Sequence, residues 1–75
     1  MKILAFGKIA EIVEKSSWEI EAIDNTASLK NTLENAFPAL QGMSYQISVN
    51  KKIVTEVVDL YQNDEIALLP PFSGG

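Results

Sequence analysis

The sequence predicts an α+β fold, a mixed sheet of four to five strands with one main helix packed on one face. Three observations carry that prediction. Two apolar runs of strand length, residues 2–6 (KILAF) and 65–69 (EIALL), lie at opposite ends of the chain. The best helical periodicity falls between them, at Leu29, Leu33, Ala36 and Phe37. Further segments alternate apolar and polar residues, the pattern of a strand with one covered face.

Each element follows in order. Residues 2–6 form the first strand, which Gly7 breaks. Residues 8–14 place Ile9, Ile12 and Val13 at helical spacing, predicting a turn or two of helix. In residues 17–23, Trp18, Ile20 and Ala22 alternate with Glu19 and Glu21, a half-buried strand. Thr26 is the expected N-cap of the main helix, because its hydroxyl can accept from an orphan N–H of the first turn. That helix is predicted over 27–36 and ends at Pro38, which disfavours α conformation in the residue before it. Residues 38–43 read as an irregular connector. Tyr45, Ile47 and Val49 mark a strand over 45–49, Asn50-Lys51-Lys52 a turn, and Ile53-Val54 a short strand. Asn63-Asp64 is a turn signal, since Asn tolerates positive φ. The last strand, 65–69, stops at Pro70-Pro71.

The first and last strands, being the most apolar, belong in the buried centre, side by side and parallel, with the hairpins outside. That order is the β-grasp, or ubiquitin-like, arrangement. The expected division is a β-grasp domain over 1–71 and a flexible Gly-Gly tail over 72–75.

Composition narrows the function. At 75 residues the chain is one domain, and a domain this small buries only about 60% of the surface exposed when unfolded. Cysteine and histidine are absent, so thiolate and imidazole ligands and the commonest general base are missing together. No metal site or bound cofactor is expected. Ten acidic residues stand against six basic ones, all lysine, for a net charge of −4. That balance offers no basic stripe for nucleic acid. The apolar N-terminal stretch is far too short for a signal peptide or a membrane span, so a cytoplasmic protein is expected.

The central strands carry more apolar residues than the fold requires. With Ile3, Ala5, Ile66 and Leu68 facing the helix, Leu4, Phe6, Ala67 and Leu69 point to the other face. Adjacent strands gather them into one patch, a docking surface for another protein.

The tail, Pro70-Pro71-Phe72-Ser73-Gly74-Gly75, leaves the sheet through two residues with φ fixed near −65° and no N–H for the ladder. Its last four or five residues, extended, reach roughly 15 Å. A terminal Gly-Gly threads a narrow channel. Stiff, then anchored at Phe72, then slender, the segment has the design of a delivery arm.

The whole chain resembles the small subunit of molybdopterin synthase. The matching residues are Leu4-Ala5-Phe6-Gly7 leading into Ala10-Glu11-Ile12-Val13, then Val49-Asn50, then the run from Asn63 to Gly75. An Asp-Glu, an apolar run, Pro-Pro and a Ser-Gly-Gly ending are specific to that family, whereas Gly-Gly alone is shared with other ubiquitin-like proteins. The resemblance implies a sulfur carrier without catalytic machinery of its own. An adenylating, E1-like enzyme uses ATP to convert the Gly75 carboxylate to an acyl-adenylate, with Gly74 beside it. A sulfurtransferase persulfide then gives a Gly75 thiocarboxylate. The large subunit, in an expected heterotetramer, takes the sulfur for a pterin precursor of the molybdenum cofactor. The family's contact to the large subunit falls on Phe6, Ile53 and Leu69. Two departures stand out: the family often has Arg where Ala10 stands, leaving a charged contact to Lys8 or unmade, and Gly where Asn63 stands. Other readings of a Gly-Gly tail are a carrier for thiamine or tRNA thiolation, a protein modifier, and an interaction module with an inert end.

The remaining residues read as structure. Trp18 is core or a partly covered edge, the carboxylates are a solvated face, and Glu11/Lys15 is at most a surface pair at i, i+4. Nothing resembles a phosphate loop, so ATP belongs to the partner.

Overall fold

The computed structural model describes residues 1–70. In chain order its elements are β1 (Lys2–Ala5), α1 (Gly7–Val13), β2 (Ser17–Glu19), α2 (Thr26–Ala36), a 3₁₀ turn (Pro38–Gly42), β3 (Gln46–Val49), β4 (Lys52–Val54) and β5 (Glu65–Leu69). The five strands form one sheet in the order β2-β1-β5-β3-β4. β1 and β5 are parallel and central, and the other neighbours pair antiparallel. The architecture expected from the sequence is therefore the one observed.

The core lies on one face. Ile3, Ile66 and Leu68 are fully buried and Ala5 nearly so, beneath Ile9 and Val13 of α1, Leu29 and Leu33 of α2, and Leu40 of the 3₁₀ turn. The 3.6-residue period of α2 puts Leu29 and Leu33 on the same stripe, one turn apart.

Three local expectations are corrected. The N-cap of α2 is Asn25, whose Oδ1 accepts from the Ser28 N–H at 2.9 Å. Thr26 is instead the first helical residue. Its buried hydroxyl accepts from the Val58 N–H at 3.1 Å, and its own N–H donates to the Val58 carbonyl at 3.0 Å. A tertiary partner has claimed the side chain that local propensity assigned to the cap.

The second strand is shorter than its alternation suggests. The pairing between β1 and β2 runs from Leu4–Ser17 to Lys2–Glu19 and closes where the Ile20 N–H donates to the Met1 carbonyl. The chain turns instead to the loop after β4, with Leu60 N–H donating to Asp24 at 3.0 Å.

Helix α1 ends in a left-handed Glu14 (φ 62°), so Lys15 lies outside the helix and no i, i+4 pair with Glu11 is built. Its ammonium sits 5.1 Å from the Trp18 ring centre. Trp18 is half-buried against the core and meets Phe37 edge-on, as a partly covered edge residue should.

Candidate functional site

The pleat settles which side chains share a face, because residues paired across strands point the same way. Leu4 pairs with Ala67, Ala67 with Ser48, and Ser48 with Ile53. These four residues form a row across β1, β5, β3 and β4, spanning about 14 Å at ordinary strand spacing. It runs over the face that the helices leave bare. Leu69, paired with Gln46, stands in the next row. Phe6 follows β1 at that level, its N–H donating to the Leu68 carbonyl at 3.3 Å.

Exposure agrees with the register except at Ser48, which is only 5% exposed in the middle of the row. Phe6 is 46% exposed and Ile53 50%, while Leu4, Ala67 and Leu69 are half-buried. Five of the six partner-binding residues expected from the sequence are thus brought onto one face. The sixth, Phe72, lies outside the described residues, as do Pro71, Gly74 and Gly75.

A gradient along the strands was not visible in the sequence. The row at the start of β1 and β5 is charged, Glu19 beside Lys2 beside Glu65. The middle row is mostly apolar, and the last holds Phe6 and Leu69. Apolar character therefore rises toward Pro70, the last described residue. The patch and the root of the tail are one place on the molecule.

Two turns hold that arrangement in register. Asn50 and Lys51 both have positive φ, 51° and 72°, the left-handed pair of a two-residue hairpin. Asn50 also reaches sideways. Its Nδ2 donates to Asp64 Oδ1 at 2.9 Å, its Oδ1 accepts from the Glu65 N–H at 2.9 Å, and its N–H donates to the Glu65 carbonyl at 2.8 Å. Asp64 Oδ2 accepts from the Tyr61 N–H at 2.8 Å. Val49-Asn50 and Asn63-Asp64-Glu65, quoted separately in the resemblance, are thus one clamp. Asn63 is not among the positive-φ residues, so glycine's freedom is not needed there. Lys8 is exposed and Ala10 half-buried on α1.

Among the described residues, no group of three carboxylate, histidine or cysteine side chains is placed to hold a metal ion. No helix among them is long and apolar enough to cross a membrane.

A mixed sheet with its chain-terminal strands parallel at the centre and one face crossed by a helix defines a β-grasp protein of the ubiquitin-like class. A family model narrows the class: the ThiS family model matches residues 3–75, and the chain belongs to that family. It is 34% identical over 82 aligned positions to the molybdopterin synthase sulfur carrier subunit of Dictyostelium discoideum, covering 99% of this chain and 94% of the relative. In structure it is similar to SAMP1 from Haloferax volcanii, with a TM-score of 0.74 at 21% identity, over 99% of this chain and 97% of that one. The resemblance to molybdopterin synthase small subunits therefore holds over nearly the full length.

Proposed function

We propose that the chain is the sulfur carrier subunit of a molybdopterin synthase, and that it works through the Gly75 carboxylate. The observation that carries this reading is the nearly end-to-end likeness to a relative of that name. The bare apolar face beside Pro70 supports it, since a carrier must dock where its tail begins.

The chemistry follows from the carboxylate. An ionised α-carboxyl, with a pKa of about 3.5, is a poor electrophile at neutral pH. In the proposed cycle an adenylating partner lets a Gly75 oxygen attack the α-phosphorus of ATP, releasing pyrophosphate and forming an acyl-adenylate. The outer sulfur of a sulfurtransferase persulfide displaces AMP. A second thiol then cleaves the S–S bond, leaving a thiocarboxylate on Gly75 and a disulfide on the donor side. Docked through Phe6, Ile53 and Leu69, with Leu4 and Ala67 on the same face, the carrier presents that sulfur to a pterin precursor on the large subunit. The protein contributes the acyl carbon and the docking face, and its partners contribute catalysis and bind ATP. This is work for the cytoplasm, where both partners and ATP are at hand.

Intact mass spectrometry of protein isolated from its own cells tests the reading. The expected product carries sulfur in place of one Gly75 oxygen. A ladder of heavier protein adducts would replace this reading with that of a protein modifier. Deleting Gly75 should abolish cofactor synthesis, and normal synthesis without it would end the carrier reading. Phe6→Asp and Leu69→Asp should each abolish co-purification with the large subunit while leaving the monomer folded.

A further inference from the structure

We infer that the outer edge of β2 is a second docking site, one that takes an extended segment of another protein as an added strand. The inference is independent of the carrier reading and concerns the edge of the sheet opposite to Ile53.

The pairing pattern exposes the edge. β2 ends the sheet and has a neighbour on one side only. The Met1 nitrogen donates to the Ile20 carbonyl and the Ile20 N–H to the Met1 carbonyl, both at 2.9 Å. Hydrogen-bonded pairs alternate along an antiparallel ladder, so Ile3 with Trp18 is the next such pair, whereas Lys2 with Glu19 and Leu4 with Ser17 are not. The N–H and C=O groups of Ser17 and Glu19 therefore point away from β1. No other described residue supplies them with a partner. They are two donors and two acceptors at the spacing of a further strand.

A groove of about 450 Å³ lies beside that edge, between β2 and the second half of α2. Its apolar walls are Trp18, Ile20, Ile23, Leu33, Ala36 and Phe37. A strand laid along β2 turns every second side chain toward this groove and the others toward the opposite face of the sheet. On that opposite face its neighbour is the exposed Glu19, and Glu21 stands exposed on the rim of the groove. Lys15 stands at the other end, its ammonium 5.1 Å from the Trp18 ring centre. Carboxylates beside an apolar trough favour lysine or arginine between aliphatic residues. They also disfavour a second copy of this chain, which brings its own Glu19 and a net charge of −4. The occupant is thus an extended segment with aliphatic residues at alternate positions and basic residues between them. A short, charged edge strand also guards against chance pairing. Protection alone calls for no apolar groove alongside, and such a groove works against it.

The test titrates the isotope-labelled full chain with a short synthetic peptide that alternates valine and lysine. Amide shifts are expected at Ser17 to Ile20 and from Leu33 to Phe37, with a Kd on the order of 100 µM or tighter, as for a small transient interface. A peptide of the same composition with its valines and lysines in separate blocks should bind at least about tenfold more weakly, since it cannot face the groove and Glu19 at once. Ser17→Pro removes one outward N–H without touching the β1 ladder and should weaken binding about fivefold. Glu19→Gln should weaken it about threefold, which keeps the test decisive if Ser17→Pro fails to fold. Equal affinity for the block peptide would reduce the binding to net charge and overturn the inference. Shifts centred on Phe6, Ile53 and Leu69, or unchanged affinity in both variants, would do the same. Concentration-dependent sedimentation of the chain that is lost in Ser17→Pro would put a second copy in place of the partner segment, and would also overturn it.

Discussion

The two faces of β1 and β5 are built from the same strands and the same hydrogen bonds, yet they do different work. On one face Ile3, Ala5, Ile66 and Leu68 are at most 2% exposed, under both helices. On the other, Leu4, Ala67 and Leu69 are half-buried. A strand with one wet face ordinarily alternates. Here one residue of pleat separates side chains that hold the fold from side chains that the proposed carrier would offer to a partner. Stability and recognition can then vary almost independently.

The largest effect should break the molecule at that division. Leu68→Ala opens a cavity in a closed core and should cost about 2–5 kcal/mol, read as a shift in the denaturation midpoint. Leu69→Asp, the very next residue, should cost under about 1 kcal/mol, as surface substitutions do. Its loss is of partner binding. Comparable destabilisation by the two would mean that the faces are not separate in function.

The next effect sharpens the comparison by asking what aligns the outer face. Ile53 joins the row of Leu4 and Ala67 only because β3 and β4 are held in register with β5, and Asn50 makes that tie. Asn50→Ala loses two side-chain hydrogen bonds and places Ala at φ 51°. A loss of about 2–3 kcal/mol is expected in chemical denaturation. Asn50→Gly keeps the turn and removes only the bonds, for about 1 kcal/mol. Equal losses in the two variants would show that the clamp, and not the left-handed turn, sets the cost.

What the sequence makes legible follows the reach of each interaction. Alternation and end-to-end apolar runs were enough for the sheet order and for the sidedness of Leu4, Phe6, Ala67 and Leu69, because a period of two fixes faces locally. Ile53 came only through family resemblance, since nothing in a two-residue strand says which face is bare. The Thr26–Val58 tie and the Asn50–Asp64 clamp were not legible. Each joins residues that are far apart in the chain. The early end of β2 was missed because strand length is set by the partner strand, which the alternation of 17–23 does not record.

The smallest effect concerns the covered face alone. Tyr45 belongs to the alternation of Ile47 and Val49, and its hydroxyl donates to Glu34 Oε2 at 2.7 Å. Burial first, then the hydrogen bond and the charge of Glu34, push its phenol well above the usual tyrosine range. The native state therefore keeps a proton that the unfolded chain gives up near pH 10. Stabilisation from this proton is complete below that pH and is lost as pH rises from about 10 toward the higher native value. At neutral pH, Tyr45→Phe should cost no more than about 1 kcal/mol. Above pH 10 the variant's stability should fall less steeply than the wild type's. The measured quantity is the difference between variant and wild-type slopes. Identical slopes would remove Tyr45 as the source. A Leu69→Asp chain with the wild-type slope would show that the helix-covered face titrates without reference to the face beside it.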